Sequence, residues 1–273
     1  MRLLAALTAL LLLANVAPAA AHPGVGIVID RRGNVFYTDL MHVWRIAPNG
    51  RKTIAVRDVH THELMIDSAG TLYGEDNRYM GGDRYRHRIW RRTPDGRVED
   101  VVPWQEGFLR QYGFVRDSTG ATYWVHCPTR VCTVRRRAAD GRVTSLVPRV
   151  PFATRINWLA PAPRGALFVL DGDALKVLEQ SGEIRTLVPA LGGAPMGMWT
   201  DATGGVYVAV YHRRAIVRVT QKGSVTEVAR TPAPWGPSGV VRAANGDLWI
   251  LEYSSSNAAR VRRVSARGKT TVY

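Results

Sequence analysis

Short runs of apolar, β-branched and aromatic residues alternate with glycine-centred polar breaks along nearly the whole chain, always in the same order. The fullest copy reads Pro195-Met196-Gly197-Met198-Trp199-Thr200-Asp201-Ala202-Thr203-Gly204-Gly205-Val206-Tyr207-Val208. It continues through Ile216-Val217-Arg218-Val219, turns at Lys222-Gly223 and closes with Val225-Thr226-Glu227-Val228. Period-two alternation between turn residues predicts strands, and no window carries a helical period. Aligned on its first turn, the pattern returns at Gly33, Gly70, Gly120, Gly165, Gly204 and Gly246; aligned on its second, at Gly50, Gly96, Gly141, Gly182, Gly223 and Gly268. Two glycine ladders with a spacing of roughly forty residues predict a β-propeller.

Each copy divides into four strands, A to D, so the expected fold is all-β: a six-bladed β-propeller with four antiparallel strands per blade. The blades fall near residues 23–59, 60–109, 110–154, 155–193, 194–235 and 236–273. Blade one starts with its own strand A (Gly26-Ile27-Val28-Ile29) and blade six ends with its own strand D (Thr270-Thr271-Val272-Tyr273). The ring is therefore expected to close by packing, without strand exchange. Antiparallel succession puts the A–B and C–D glycine turns on one face and the D-to-A connections and B–C loops on the other. The second face varies between copies, and varied loops on a rigid scaffold are where sites collect.

Residues 1–21 change one part of this picture. A basic start, an apolar run through Leu13 and the small-residue exit Ala19-Ala20-Ala21 predict a signal peptide rather than a transmembrane anchor, leaving a single propeller domain over 22–273 and a periplasmic or extracellular location. In that setting Cys127 and Cys132, the two cysteines, are expected to form a disulfide; a zinc or redox pair would need a partner cluster or a CxxC spacing. The net charge is +15, or +14 once Arg2 leaves with the signal (36 basic minus 22 acidic). Thirty-three of the 37 basic residues are arginines spread over every copy, which argues against a nucleic-acid stripe and for a general attraction to acidic small ligands or anionic envelope polymers.

The repeated Pro-x-Gly, Asp-x-x-Gly and Tyr or Trp pattern resembles the NHL repeat. Two copies resemble the gluconolactonase and senescence-marker-protein family more closely: Pro195 to Asp201 with Val206 to Tyr211, and Asn157-Trp158-Leu159-Ala160-Pro161. That resemblance implies a six-bladed fold and, in many members, a lactone hydrolase with one divalent metal held by Glu, Asn and Asp at the channel mouth. Carried over residue by residue, the Asn falls on Asn157, whereas the Glu falls on Val25 and the Asp on Met196.

Across the six copies this column reads Val25, His62, Tyr112, Asn157, Met196 and Ser238; two residues earlier stand Pro23, His60, Arg110, Arg155, Ala194 and Gly236. His60 and His62, two apart on an extended segment, have a spacing that suits a transition metal, with Asn157 as a further donor; backbone-bonded histidines are the plainer alternative. Glu63 stands where four copies have glycine. Arg110 and Arg155 at one mouth suit a carboxylate or phosphate, with Tyr112 and Trp158 as an apolar wall. The long B–C segment of blade two, from Glu75 through Tyr79 to His87, suits either a loop folding over a ligand or a solvated hairpin. An acidic column near the end of strand B (Asp39, Asp76, Asp171, Glu252) reads as structural.

The function expected from the sequence is an exported, monomeric propeller that binds a small anionic ligand or envelope component at the channel mouth. The alternatives are a metal-assisted, lactonase-like hydrolase whose ligand set is rebuilt around His60, His62 and Asn157, and a protein-interaction scaffold. Nucleic acid is not among the expected partners.

Overall fold

A computed structural model describes residues 23–82, 84–106, 109, 113–127, 132–146, 152, 156 and 158–273. The expected export segment lies outside them, as do Arg110, Tyr112, Arg155 and Asn157. The chain forms six four-stranded antiparallel sheets, each built from four strands consecutive in sequence. It is a six-bladed propeller, and among the described residues no strand from one end of the chain completes the sheet at the other. Among the described residues no helix is long and apolar enough to cross a membrane.

The innermost strands are Ile27–Ile29, Leu64–Ile66, Phe114–Arg116, Leu159–Pro161, Pro195–Thr200 and Gly236–Arg242. Each leads into an A–B turn, and in four blades that turn is built by an aspartate. Asp30, Asp67, Asp117 and Asp201 each accept, through Oδ1, the backbone N–H groups two and four residues on, at 2.8–3.0 Å. This satisfies turn donors that no ladder reaches. The glycine three residues after each aspartate has φ between 77° and 85°, which a side chain would strain. Oδ2 then ties the turn to its own sheet, through the hydroxyls of Tyr73 and Tyr123 or the guanidinium of Arg218. The repeated Asp-x-x-Gly-x-x-Tyr is thus a turn-building device.

The acidic column at the end of strand B is structural as well. Asp39 accepts from the indole of Trp44, Asp76 from Arg88, Asp171 from Lys176, and Glu252 from Arg260 and Arg262. In each case strand B is pinned to strand C.

Six apolar clusters hold the ring, each filling the wedge between two neighbouring blades. The seam between blades six and one is no weaker in kind. Ile27, Tyr37, Val241, Trp249 and Tyr253 pack there, and the Tyr253 hydroxyl donates to the Thr38 carbonyl at 3.1 Å. The Cys127–Cys132 disulfide closes the B–C connection of blade three.

Where the inner strands begin, their backbones nearly touch. The Val25 and Gly26 N–H groups both donate to the His62 carbonyl, at 2.7 and 2.8 Å. A Cβ on Gly197 would lie 2.5 Å from the Ser238 carbonyl oxygen, and one on Gly239 would lie 2.2 Å from that of Val25. We expect Gly239→Ala to destabilise the protein by about 1–3 kcal/mol, because backbone rather than a flexible side chain must yield; urea unfolding of the two proteins measures it.

Candidate functional site

Blade two carries the polar residues that a propeller core would not need. Thr61, His62, Glu63, Glu75, Asp76 and His87 are all buried. Glu75 organises them. Its Oε1 receives the His62 backbone N–H and lies 3.0 Å from His62 Nδ1, while its Oε2 receives the Glu63 backbone N–H at 3.2 Å. The Glu75 carbonyl accepts from the Thr61 hydroxyl at 2.6 Å and from the Trp90 indole at 3.1 Å. The start of strand A is therefore fastened to strand B by side-chain bonds where no regular ladder exists.

Burial decides the charge states. It drives the His62 pKa down to about 3 and raises that of Glu75 to about 8, against the opposing pull of the backbone donors. Both shifts favour the neutral forms over an ion pair. Glu63 is pushed well above the ordinary carboxylate range, first by burial and then by Glu75. His60 stands at the exposed edge, its ring 4.7 Å from that of His62 in an edge-on arrangement. Packing and His62 depress its pKa, opposed in part by a ring hydrogen bond to the Leu40 backbone. Its backbone N–H is held by Asp76 at 3.0 Å.

The metal arrangement implied by the gluconolactonase resemblance does not fit these residues. Val25 and Met196 are buried in one apolar cluster with Trp158, and neither side chain offers the oxygen a hard cation needs. Among the described residues no group of three or more His, Cys, Asp or Glu side chains is placed to hold a metal ion. Of the suggested rebuilt set, His60 and His62 come together and Asn157 lies outside the described residues.

The segment from Glu75 to His87 is neither a lid nor an irregular loop. Strands Leu72–Gly81 and Arg84–Arg92 continue as a paired ribbon to its tip, with Val98–Glu106 along one side. Glu75 and His87 lie buried in the body of the blade, whereas Tyr79 is 60% exposed near the tip, its ring 5.2 Å from that of Tyr85. One step inward, Arg78 and Arg86 are direct cross-strand partners. Both converge on Trp104: the Arg78 guanidinium lies 5.0 Å from its ring, and Arg86 donates to its carbonyl at 3.4 Å. Neither arginine forms a salt bridge among the described residues, although Glu106, itself bound to Arg84, is the register partner of Arg86 on its other side and feels its charge.

This arginine pair was not singled out from the sequence. Its signal is the near-mirror order about Gly81-Gly82, in which Tyr79 answers Tyr85, Arg78 answers Arg86 and Asp76 answers Arg88.

The buried pair carries a pH dependence with two limbs. The His62 pKa is depressed in the folded state, so its contribution is present above about pH 6.5 and is lost as pH falls toward 3. The Glu75 pKa is raised, so its contribution is present below about pH 4.5 and is lost as pH climbs toward 8. Thermal melting across pH 4–9 should show Glu75→Gln losing less stability than the parent on the alkaline limb, because an amide cannot ionise. Equal slopes in the two proteins would remove Glu75 as the source.

No protein-family model matches the chain. A virginiamycin B lyase from Nocardia farcinica (strain IFM 10152) is 28% identical over 130 residues, covering 48% of this chain and 44% of that protein. The matched segment thus spans less than half of the lyase. Among solved structures, the virginiamycin B lyase of Staphylococcus aureus superposes with a TM-score of 0.61 at 18% identity, over 92% of this chain and 84% of that one. A gluconolactonase from Xanthomonas campestris gives 0.66 at 16% identity, over 85% and 83%. In fold, the chain is similar to the six-bladed propellers of gluconolactonases and virginiamycin B lyases.

Proposed function

We propose that the protein is an exported propeller that binds a small anionic ligand, a carboxylate or phosphate, on the face bearing the B–C connections, with Arg78 and Arg86 as the clamp. The observation that carries this reading is the cross-strand pairing of two arginines. Like charges directly opposite one another destabilise a β-ribbon, and a bound anion turns that repulsion into attraction. The Trp104 ring carries the Arg78 guanidinium and its carbonyl accepts from Arg86, and two forks side by side suit bidentate recognition. The net charge of +15 favours anion approach in general. The signal-like first 21 residues and the disulfide support export.

Isothermal titration with inorganic phosphate and with malonate at low salt tests the clamp. Saturable binding is expected for the parent, with affinity about tenfold or more lower in Arg78→Ala/Arg86→Ala. Arg86→Glu replaces repulsion with a cross-strand ion pair. Because Glu106 is the other register partner of position 86, the new carboxylate also faces a like charge, so the variant should abolish the anion site with little net change in stability. If neither anion binds the parent, the reading fails.

A second reading, turnover of a lactone or cyclic ester, has His60 in its favour. That ring is exposed at its edge, is held below its usual pKa and sits against His62. The fold neighbours named as a lactonase and a lyase point the same way. Turnover of a lactone panel that survives His60→Ala unchanged would remove His60 from it.

A further inference from the structure

Along the propeller axis, away from the face of the clamp, the described residues leave a cavity. It has a volume of about 270 Å³ and is lined by the inner strands of all six blades. Its walls are apolar, with Ile27, Leu64, Ala160, Met198 and Val240 among them, and among the described lining residues only Glu63 and Arg116 are ionisable. Its two ends differ. Ile29, Ile66, Arg116, Pro161 and Thr200, where the inner strands run into the glycine turns, are partly exposed and form an open rim. At the opposite end Val25, Gly26 and Glu63 are buried, and the backbones of blades one, two, five and six press together there. The cavity narrows away from the glycine-turn face.

Glu63 stands at that inner end. Its Oε2 is buried and has no hydrogen-bond partner. The neighbouring ionisable group is a second carboxylate, Glu75, whose Oε2 accepts the Glu63 backbone N–H. The adjacent His62 supplies no positive charge, since burial keeps it neutral. Among the described residues, the inner end of an otherwise greasy tube thus holds acid groups without a cation, and ionising a buried acid there is costly until a cation joins it. Arg116 marks the other end, at the rim, its guanidinium 4.4 Å from the Tyr73 ring.

We propose that the axial cavity is a binding site for a slender primary amine, which enters from the glycine-turn face and sets its ammonium group against Glu63. The amine supplies the missing cation and hydrogen-bond donor, its alkyl body replaces water along Ile27, Leu64, Met198 and Val240, and Arg116 selects a far end that is neutral or anionic. A diamine of equal length would put its second charge against Arg116 and be disfavoured. This site is separate from the Arg78–Arg86 clamp and does not depend on it.

Titration calorimetry with n-butylammonium chloride at fixed pH and moderate salt tests the site, with 1,4-diaminobutane as the comparison. The parent should bind butylammonium saturably and the diamine more weakly. Glu63→Gln, nearly isosteric, should weaken butylammonium about tenfold or more, and Arg116→Ala should narrow the difference between the two amines. Arg78→Ala/Arg86→Ala should bind butylammonium like the parent, so failure of the anion clamp and failure of this site are read separately. Circular dichroism and melting of Glu63→Gln confirm folding; a melting point no lower than the parent's is expected, because an uncompensated acid is removed. The proposal is overturned if the parent binds no butylammonium, or if Glu63→Gln binds it as tightly as the parent.

Discussion

Six strands aimed at one axis leave almost no room where they begin, and the rest of the structure is arranged around that crowding. At one level of the ring the residues are Gly26, Glu63, Gly113, Trp158, Gly197 and Gly239. Around Gly26, Gly197 and Gly239 a side chain would meet a neighbouring backbone at 2.2–2.8 Å, so glycine is what lets the inner strands converge. The blades diverge from there, and the wedges that open between them are filled by the six apolar clusters. The same convergence places Glu63, the acidic member of the level, against the axial cavity.

Blade two departs from its siblings as a connected set of changes. A carboxylate in place of glycine alters the start of strand A, and Glu75 secures that start by accepting the N–H groups of His62 and Glu63. Burial shifts Glu75, His62 and Glu63 toward their neutral forms. The lengthened ribbon carries Arg78, Arg86, Tyr79 and Tyr85 outward. A fold made of near-identical units localises its chemistry in the unit that deviates, and fold alone would not have said which.

Much of the architecture could be read before any coordinates, because its determinants are local. An aspartate three residues before a positive-φ glycine builds its own turn, and repeating that turn fixes strand order and count. The acidic column was legible as structural from its recurrence, whereas its partners, mostly bases on strand C, appear only in the folded sheet. The site was harder to read, for two physical reasons. Polar residues in an outlying ribbon need not alternate in hydrophobicity, so the sequence left Glu75 to His87 open between a loop and a hairpin, and it is a hairpin paired to its tip. Which end of the axis is open depends on backbone contacts between distant blades, such as Gly197 with Ser238. Glu63 did stand out, as an acid in a glycine column, but its meeting with a cavity wall is a property of the closed ring.

The manner of closure carries a consequence of its own. Because every sheet is complete within one consecutive stretch of chain, the ring has no privileged first blade, and the joint between Tyr253 and Thr38 is one more side-chain contact among equals. Cutting the backbone between any two blades and joining the old ends would leave every strand with its original partners. The molecule is, topologically, a bracelet whose clasp can be moved. Lineages built this way can change by recutting, losing or duplicating whole links without redrawing a single sheet.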